Sequence, residues 1–284
     1  MNKLKEENGM TNTIIAKANK MVEMIKERGI NAEIQMKNTN GVESIGICMG
    51  SGTVRPLIYP NFDSEKSLDE MVDSIIKTYN QVKNTEGISA DIIQSFNDFD
   101  VAKQSIIPCV MAKVTDDIVS RDYLDLKVMY RYITADKQAS IAIKKSHIDK
   151  WGVTEEELFN IAKENVRPTF INMSMMQMLA KMKGSAEIEL PDVADDPLRV
   201  FTTQSLNWGA SALLFPELFE FMGNNIIILP SSVHEVLAIT GNANMDSDEL
   251  AEMITGINQT TVQPEEVLSN HPYVCSDGKI REVA

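Results

Sequence analysis

Positive charge is what this sequence has too little of: 27 lysines and arginines stand against 41 aspartates and glutamates over 284 residues, a net −14. A nucleic-acid partner needs a concentrated basic surface, and only isolated pairs such as Lys144 and Lys145 occur, which argues against that class. Long apolar runs are missing as well. The start, MNKLKEENGM, lacks the apolar core of a signal peptide, and no later run approaches the length that spans a bilayer, so a cytoplasmic protein with no membrane partner is expected. Cysteine is scarce: Cys48, Cys109 and Cys275 are far apart and in no CxxC arrangement. That argues against a disulfide framework and against a zinc site, and leaves buried free thiols as the expectation. Glycine and proline are not enriched and the hydrophobic fraction is 43%, so the chain can build a packed core.

What is present is a series of amphipathic patterns. Ile14, Ile15, Ala18, Met21, Val22 and Ile25 recur at helical spacing before Gly29, and predict a helix over residues 13–28. Ala32, Ile34 and Met36, then Ile45, Ile47 and Met49, alternate on either side of Asn40-Gly41, the pattern of a hairpin. A third short strand is expected over 55–59. Ser67 with Glu70, Thr154 with Glu157 and Asp246 with Glu249 have the spacing of capping boxes at three helix starts. Residues 88–118 have helical character that Pro108 should kink or restart. Leu124, Leu126, Val128, Tyr130 and Tyr132 alternate with Asp125, Lys127 and Arg131 as a half-buried strand, with 139–143 as its partner. A methionine-rich helix is expected in 171–182, and 187–197 reads as an exposed acidic loop. Residues 200–203 and 210–215 read as a hairpin, followed by a helix from Pro216 to Met222. Strands at 226–229 and 236–240 and a terminal hairpin around Asp277-Gly278 complete the chain. Antiparallel hairpins outnumber βαβ crossovers, so the expected class is α+β, mostly antiparallel sheets flanked by helices, in two units, 1–118 and 119–284.

Several of these segments, in this order, resemble a bacterial family known as domain of unknown function 5688: YPNFDSEKSLDEMVDSIIKTY, YLDLKVMYRYIT, HIDKWGVTEEELFNIAKEN, GASALLFPELFEFMGNNIIILPSSVHEVLAIT and TTVQPEEVLSNHPYV. The resemblance runs from about residue 55 to the C-terminus. It implies a fold unit and a bacterial cytosolic setting, and no activity or catalytic residues.

The densest cluster of reactive side-chain types is Ser231, Ser232, His234 and Glu235. A serine beside a histidine oriented by a carboxylate is the composition of a hydrolytic nucleophile and base. The spacing is poor for that purpose, and no GxSxG elbow exposes either serine. The economical reading is a single helical turn between two strands, in which Ser232 and Glu235 form a fourth Ser-x-x-Glu cap. For a metal, His147, His234 and His271 would have to converge from distant positions, and the second histidine of a HExxH helix is absent. Gly46, Gly50 and Gly52 lack the lysine of a phosphate loop. The acidic pairs Asp116-Asp117, Asp195-Asp196 and Glu265-Glu266 read as solvated loops and helix starts. No cofactor is indicated. The preferred expectation is a non-enzymatic cytoplasmic protein that binds another protein through an acidic surface or through the acidic loop at 187–197. The alternative is a hydrolase using Ser231 or Ser232 with His234.

Overall fold

The computed structural model of the chain describes residues 3–51, 55–84, 90–135, 139–182, 198–240 and 246–283. The expected acidic loop at 187–197 lies outside them, as does Gly52. Contacts divide the chain into two compact units, Met1–Gln94 and Ser95–Ala284.

In the first unit, helix α1 (Lys3–Glu27) ends where Gly29 turns left-handed at φ 81°, and the Gly29 N–H bonds the Lys26 carbonyl. Strands β1 (Ala32–Thr39) and β2 (Val42–Met49) pair antiparallel across Asn40-Gly41, both at positive φ, so the expected hairpin is present. The short β3 (Leu57–Ile58) extends this sheet on β2. Helix α2 (Leu68–Asn84) starts on the expected capping box: Glu70 accepts from the Ser67 N–H at 2.8 Å and Ser67 Oγ from the Glu70 N–H at 3.3 Å. The helical stripes converge on one core, with Met21, Val22 and Ile25 of α1 and Met71, Val72 and Ile75 of α2 closing over Ile47 and Met49.

Helix α3 (Ala90–Asn97) carries the division between the units, and α4 (Phe99–Ala102) follows. The helical expectation for 88–118 fails beyond this point. Residues 106–111 form strand β4 (Ile106–Met111), with Pro108 in its middle. Strands β5 (Ser120–Tyr123), β6 (Leu126–Ile133) and β7 (Ser140–Ala142) complete an antiparallel sheet in which β5 and β7 share one side of β6 and β4 takes the other. Pro108 is opposite Tyr130, whose carbonyl accepts from the Ile143 N–H on the far side of β6. The proline's missing N–H therefore falls on the outer edge of an edge strand, where it costs no ladder bond. The same pairing draws residues 95–118 into the second unit, so the compact division lies earlier than the boundary near 118 expected from sequence.

Helix α5 (Lys145–Trp151) ends on left-handed Gly152, and α6 (Glu155–Val166) starts on the expected Thr154–Glu157 capping box. The methionine-rich segment begins as strand β8 (Phe170–Ser174) and becomes helical only in α7 (Met175–Met182), where Ser174 and Gln177 make a reciprocal cap. Strands β9 (Leu198–Thr203), β10 (Ile226–Ser232), β11 (Glu235–Thr240), β12 (Tyr273–Ser276) and β13 (Lys279–Glu282) join β8 in an antiparallel six-stranded sheet of order β13-β12-β10-β11-β9-β8. Helix α8 (Ser247–Thr260), capped by Asp246, and α7 cover one face, and both pack on Leu237.

The expected strand at 210–215 is a fully buried 3-10 helix, Gly209–Leu214, wedged between β4 on one side and β9 and β11 on the other. Tyr123 donates its hydroxyl to the Leu213 carbonyl, and Phe170–Phe215 and Phe201–Phe219 ring pairs close the layer at 5.2 and 4.5 Å. The class is α+β with antiparallel sheets, as the hairpin count implied.

Candidate functional site

The stretch 231–235 is a hairpin turn between β10 and β11, with the register shifting between Pro230 and Ser232. It is not the helical turn expected. Ser231 and Ser232 both donate their hydroxyls to Glu235 Oε1, each at 2.9 Å, and Ser232 Oγ accepts the His234 N–H at 3.0 Å. The Ser-x-x-Glu pair thus forms, but it ties the ends of a β-turn instead of a helix start. A short apolar run with a bulge can pair with its neighbour at once, so the chain has no need of a helical connection.

His234 faces away from the serines. Its Nδ1 accepts the Trp208 main-chain N–H at 3.3 Å, and its Nε2 lies 3.3 Å from Glu266 Oε1. A main-chain N–H can only donate, so Nδ1 is the unprotonated nitrogen and the ring proton sits on Nε2, directed at Glu266. Neither serine hydroxyl is bonded to the imidazole, so the base that a serine nucleophile needs is committed elsewhere. The His234 carbonyl is also occupied, accepting from the Gly209 N–H at 2.9 Å and from Thr202 Oγ1 at 2.8 Å. The Val233 N–H bonds the Glu266 carbonyl at 2.9 Å. The four residues singled out from sequence are therefore brought together, and their bonds lock β10, β11, the 264–266 turn and residues 208–210 to one another.

That lock positions a neighbouring loop that sequence reasoning passed over. Between β9 and the buried 3-10 helix, Leu206 and Trp208 both occupy the left-handed region, at φ 58° and 59°. For bulky residues this conformation costs about 1–3 kcal/mol each and persists only where the surroundings impose it. Here they do so through a dense set of bonds. Thr203 Oγ1 donates to the Asn207 carbonyl at 2.7 Å, the Leu206 N–H bonds the Thr203 carbonyl at 2.9 Å, and Trp208 hangs on His234. Gly209 completes the turn because a Cβ there would sit 2.5 Å from Thr202 Cα and closer still to the His234 carbonyl oxygen. The Trp208 ring packs at 5.3 Å against the imidazole and lies 4.7 Å from the Arg131 guanidinium, whose Nε donates to Ser140 Oγ at 2.9 Å. Burial lowers the affinity of Arg131 for its proton, offset in part by the nearby Cys109. Trp208 and Ser140 line a half-open cavity of about 530 Å³ between β4, β6, α6 and the 203–208 loop.

The other titratable groups of the second unit serve as ties. Asp125, in the β5–β6 turn, accepts from the Tyr273 hydroxyl at 2.7 Å and pairs with His271 Nε2 at 3.0 Å. Burial lowers the His271 pKa, but the Pro272 carbonyl and the Asp125 carboxylate outweigh it and the net shift is upward. Burial, with Asp125 adding to it, pushes the Tyr273 hydroxyl far above its ordinary value. Arg121 clamps Glu155 through Nε at 2.7 Å and Nη2 at 2.6 Å, and Tyr130 donates to the same carboxylate. His147 caps α5 by accepting the Lys144 N–H and packs against Phe96 and Trp151. The three histidines thus have three separate sets of partners, and among the described residues no cluster of three or more His, Cys, Asp and Glu side chains is arranged to hold a metal ion. Cys48, Cys109 and Cys275 are free and buried, and burial pushes the Cys109 thiol up to about 12. No helix among the described residues is long and apolar enough to cross a membrane.

Compared with known families, residues 11–276 match the model of a family of unknown function (DUF5688). Among curated proteins and among solved structures, none matches the chain.

Proposed function

The chain belongs to DUF5688, a family of unknown function, and from that premise we propose that it is a non-catalytic cytoplasmic interaction protein which binds a basic, amphipathic segment of another protein. The observation that carries this reading is the outer face of the six-stranded sheet. On α7, Met176 is 67% exposed and Leu179 48%, and on α8, Met253 is 45% and Ile257 44%. Both helices bury their other faces on the same strand residue, Leu237. Large apolar side chains left out of a core on adjacent elements are the usual mark of a contact surface, and methionine adapts its shape to varied partners. On α8 the charge has one sign, with Asp248, Glu249 and Glu252 and no lysine or arginine, while the single charged residue of α7 is Lys181. The apolar residues of α8 with their acidic neighbours are complementary to a helix that carries apolar residues on one side and basic residues beside them. The alternative of a Ser–His hydrolase gains no support from a turn whose hydroxyls serve Glu235 and whose imidazole serves Trp208 and Glu266.

The test is affinity capture from cells of the source with the full chain, beside a variant with Met176, Leu179, Met253 and Ile257 all changed to serine. The four residues are exposed, so the variant keeps its circular dichroism. A partner held by the wild type, released by salt and missing from the variant is the expected outcome. Equal recovery by both proteins, or no partner above background, overturns the reading.

A further inference from the structure

We infer that the cavity beneath Trp208 is a binding site for a small, uncharged, hydroxyl-rich molecule, the chemistry of a mono- or disaccharide. Its volume of about 530 Å³ matches that of small-molecule sites. Among the described residues that line it none carries a charge, although charged residues make up 24% of the chain. A charged ligand leaving water needs an opposite charge or a dense hydrogen-bond set at its ionic group, and the nearest described ion, Arg131, is not among the lining residues and is engaged by Trp208 and Ser140. The lining is instead rich in hydroxyl and side-chain amide groups, with Ile107, Ile133, Val166 and Trp208 as its large apolar members.

The bonding of those polar groups selects the ligand further. Asn165 commits its amide N–H groups to the Lys103 and Ile106 carbonyls, and Asn207 commits its own to the Ser205 carbonyl. Their Oδ1 atoms have no protein donor among the described residues. Ser140 Oγ accepts from Arg131 Nε, which leaves the serine hydrogen free to donate. The wall therefore offers mainly acceptors, with a few hydroxyls able to give or receive, and a molecule bearing several O–H groups satisfies such a set. The C–H face of a sugar ring also suits an indole surface. The strained left-handed conformation of Trp208, imposed by its bond to His234, is the second and independent observation. Backbone strain of this kind gathers at binding sites, where the surrounding structure holds a side chain in place before the ligand arrives. In this arrangement His234 is a positioning residue.

The experiment uses the full chain with Trp151→Phe, which leaves Trp208 as its one tryptophan. Glucose, maltose and N-acetylglucosamine are titrated to millimolar concentrations against its fluorescence, with saturation-transfer NMR of the probe as the second readout. Glucose phosphate, glucosamine and adenosine serve as charged and nucleoside comparisons. Binding of at least one neutral saccharide is expected, with the comparisons weaker. Asn207→Ala, an exposed truncation that keeps the fold, and Ser140→Ala should each weaken it about tenfold, the loss of one hydrogen bond. The inference fails if no neutral saccharide binds, if a charged probe or adenosine binds more tightly than all three, or if both variants bind as the wild type does.

Discussion

Glu235 serves two hydroxyls at once, and that asymmetry sets how single substitutions in the β10–β11 turn should behave. Ser231→Ala removes one donor and should cost about 1 kcal/mol, whereas Glu235→Ala leaves two half-buried hydroxyls without an acceptor and should cost about 2–3 kcal/mol. Urea unfolding of both variants checks the order. At Gly209 the conflict is steric: a methyl group would press on Thr202 Cα and the His234 carbonyl, neither of which can give way. Gly209→Ala should therefore destabilise by about 2–3 kcal/mol in the same assay. His271 supplies a pH dependence. Its pKa is raised in the folded state, so the protonated form is the one the fold favours. The stabilisation from its pairing with Asp125 is present in full below the ordinary histidine value and is lost as pH rises through the raised one. The groups facing it are Asp125, Tyr273 and Glu282. Asp125→Asn should flatten the decline in unfolding free energy across that window; an unchanged slope would place its origin elsewhere. At this scale the sequence displayed the residue types at 231–235 but not their partners, because Glu266 and Trp208 are 32 and 26 positions from His234 and meet it only in the folded chain.

Elements were legible wherever a local rule sufficed. Capping boxes at Ser67 and Thr154, the helix end at Gly29 and the Asn40-Gly41 turn depend on residues within four positions of one another, and all form. Thr154→Ala should cost α6 about 1 kcal/mol, as measured by thermal or urea unfolding. What escaped was decided by neighbours. Residues 106–111 carry a proline and an apolar run that suit a helix start as well as a strand, and β6 selects the strand by offering it an edge. Residues 209–214 are small and apolar enough for a strand, but the space between the two sheets admits only a compact 3-10 turn. Helix α6 is held to β5 and β6 by Arg121 and Tyr130 on Glu155. Burial opposes ionisation of that carboxylate, yet the Arg121 and Tyr130 hydrogen bonds prevail and its pKa is lowered, so the clamp contributes above the ordinary carboxylate value and is lost as pH falls through the depressed one. Arg121→Ala strands a half-buried carboxylate and should cost about 2–3 kcal/mol at neutral pH, with little further loss on mild acidification.

For the whole molecule, the division at Gln94 and Ser95 makes a direct prediction about fragments. A chain of residues 95–284 keeps β4 and should unfold cooperatively in urea. One of residues 119–284 exposes the β6 edge and the flank of the buried 3-10 helix, and should not. Comparable cooperative transitions in the two fragments would show that β4 is dispensable. Sequence alone determined the α+β class, the hairpins with their turns, the helix caps and the family, because periodicity and capping are short-range consequences of backbone geometry. Tertiary structure alone decided where the units divide, that β4 is a strand, that 209–214 lies buried between sheets, and that His234 serves Trp208 instead of a serine. Each of those outcomes depends on which distant surfaces meet, and burial and hydrogen-bond satisfaction are settled by that meeting, not by the residues on their own.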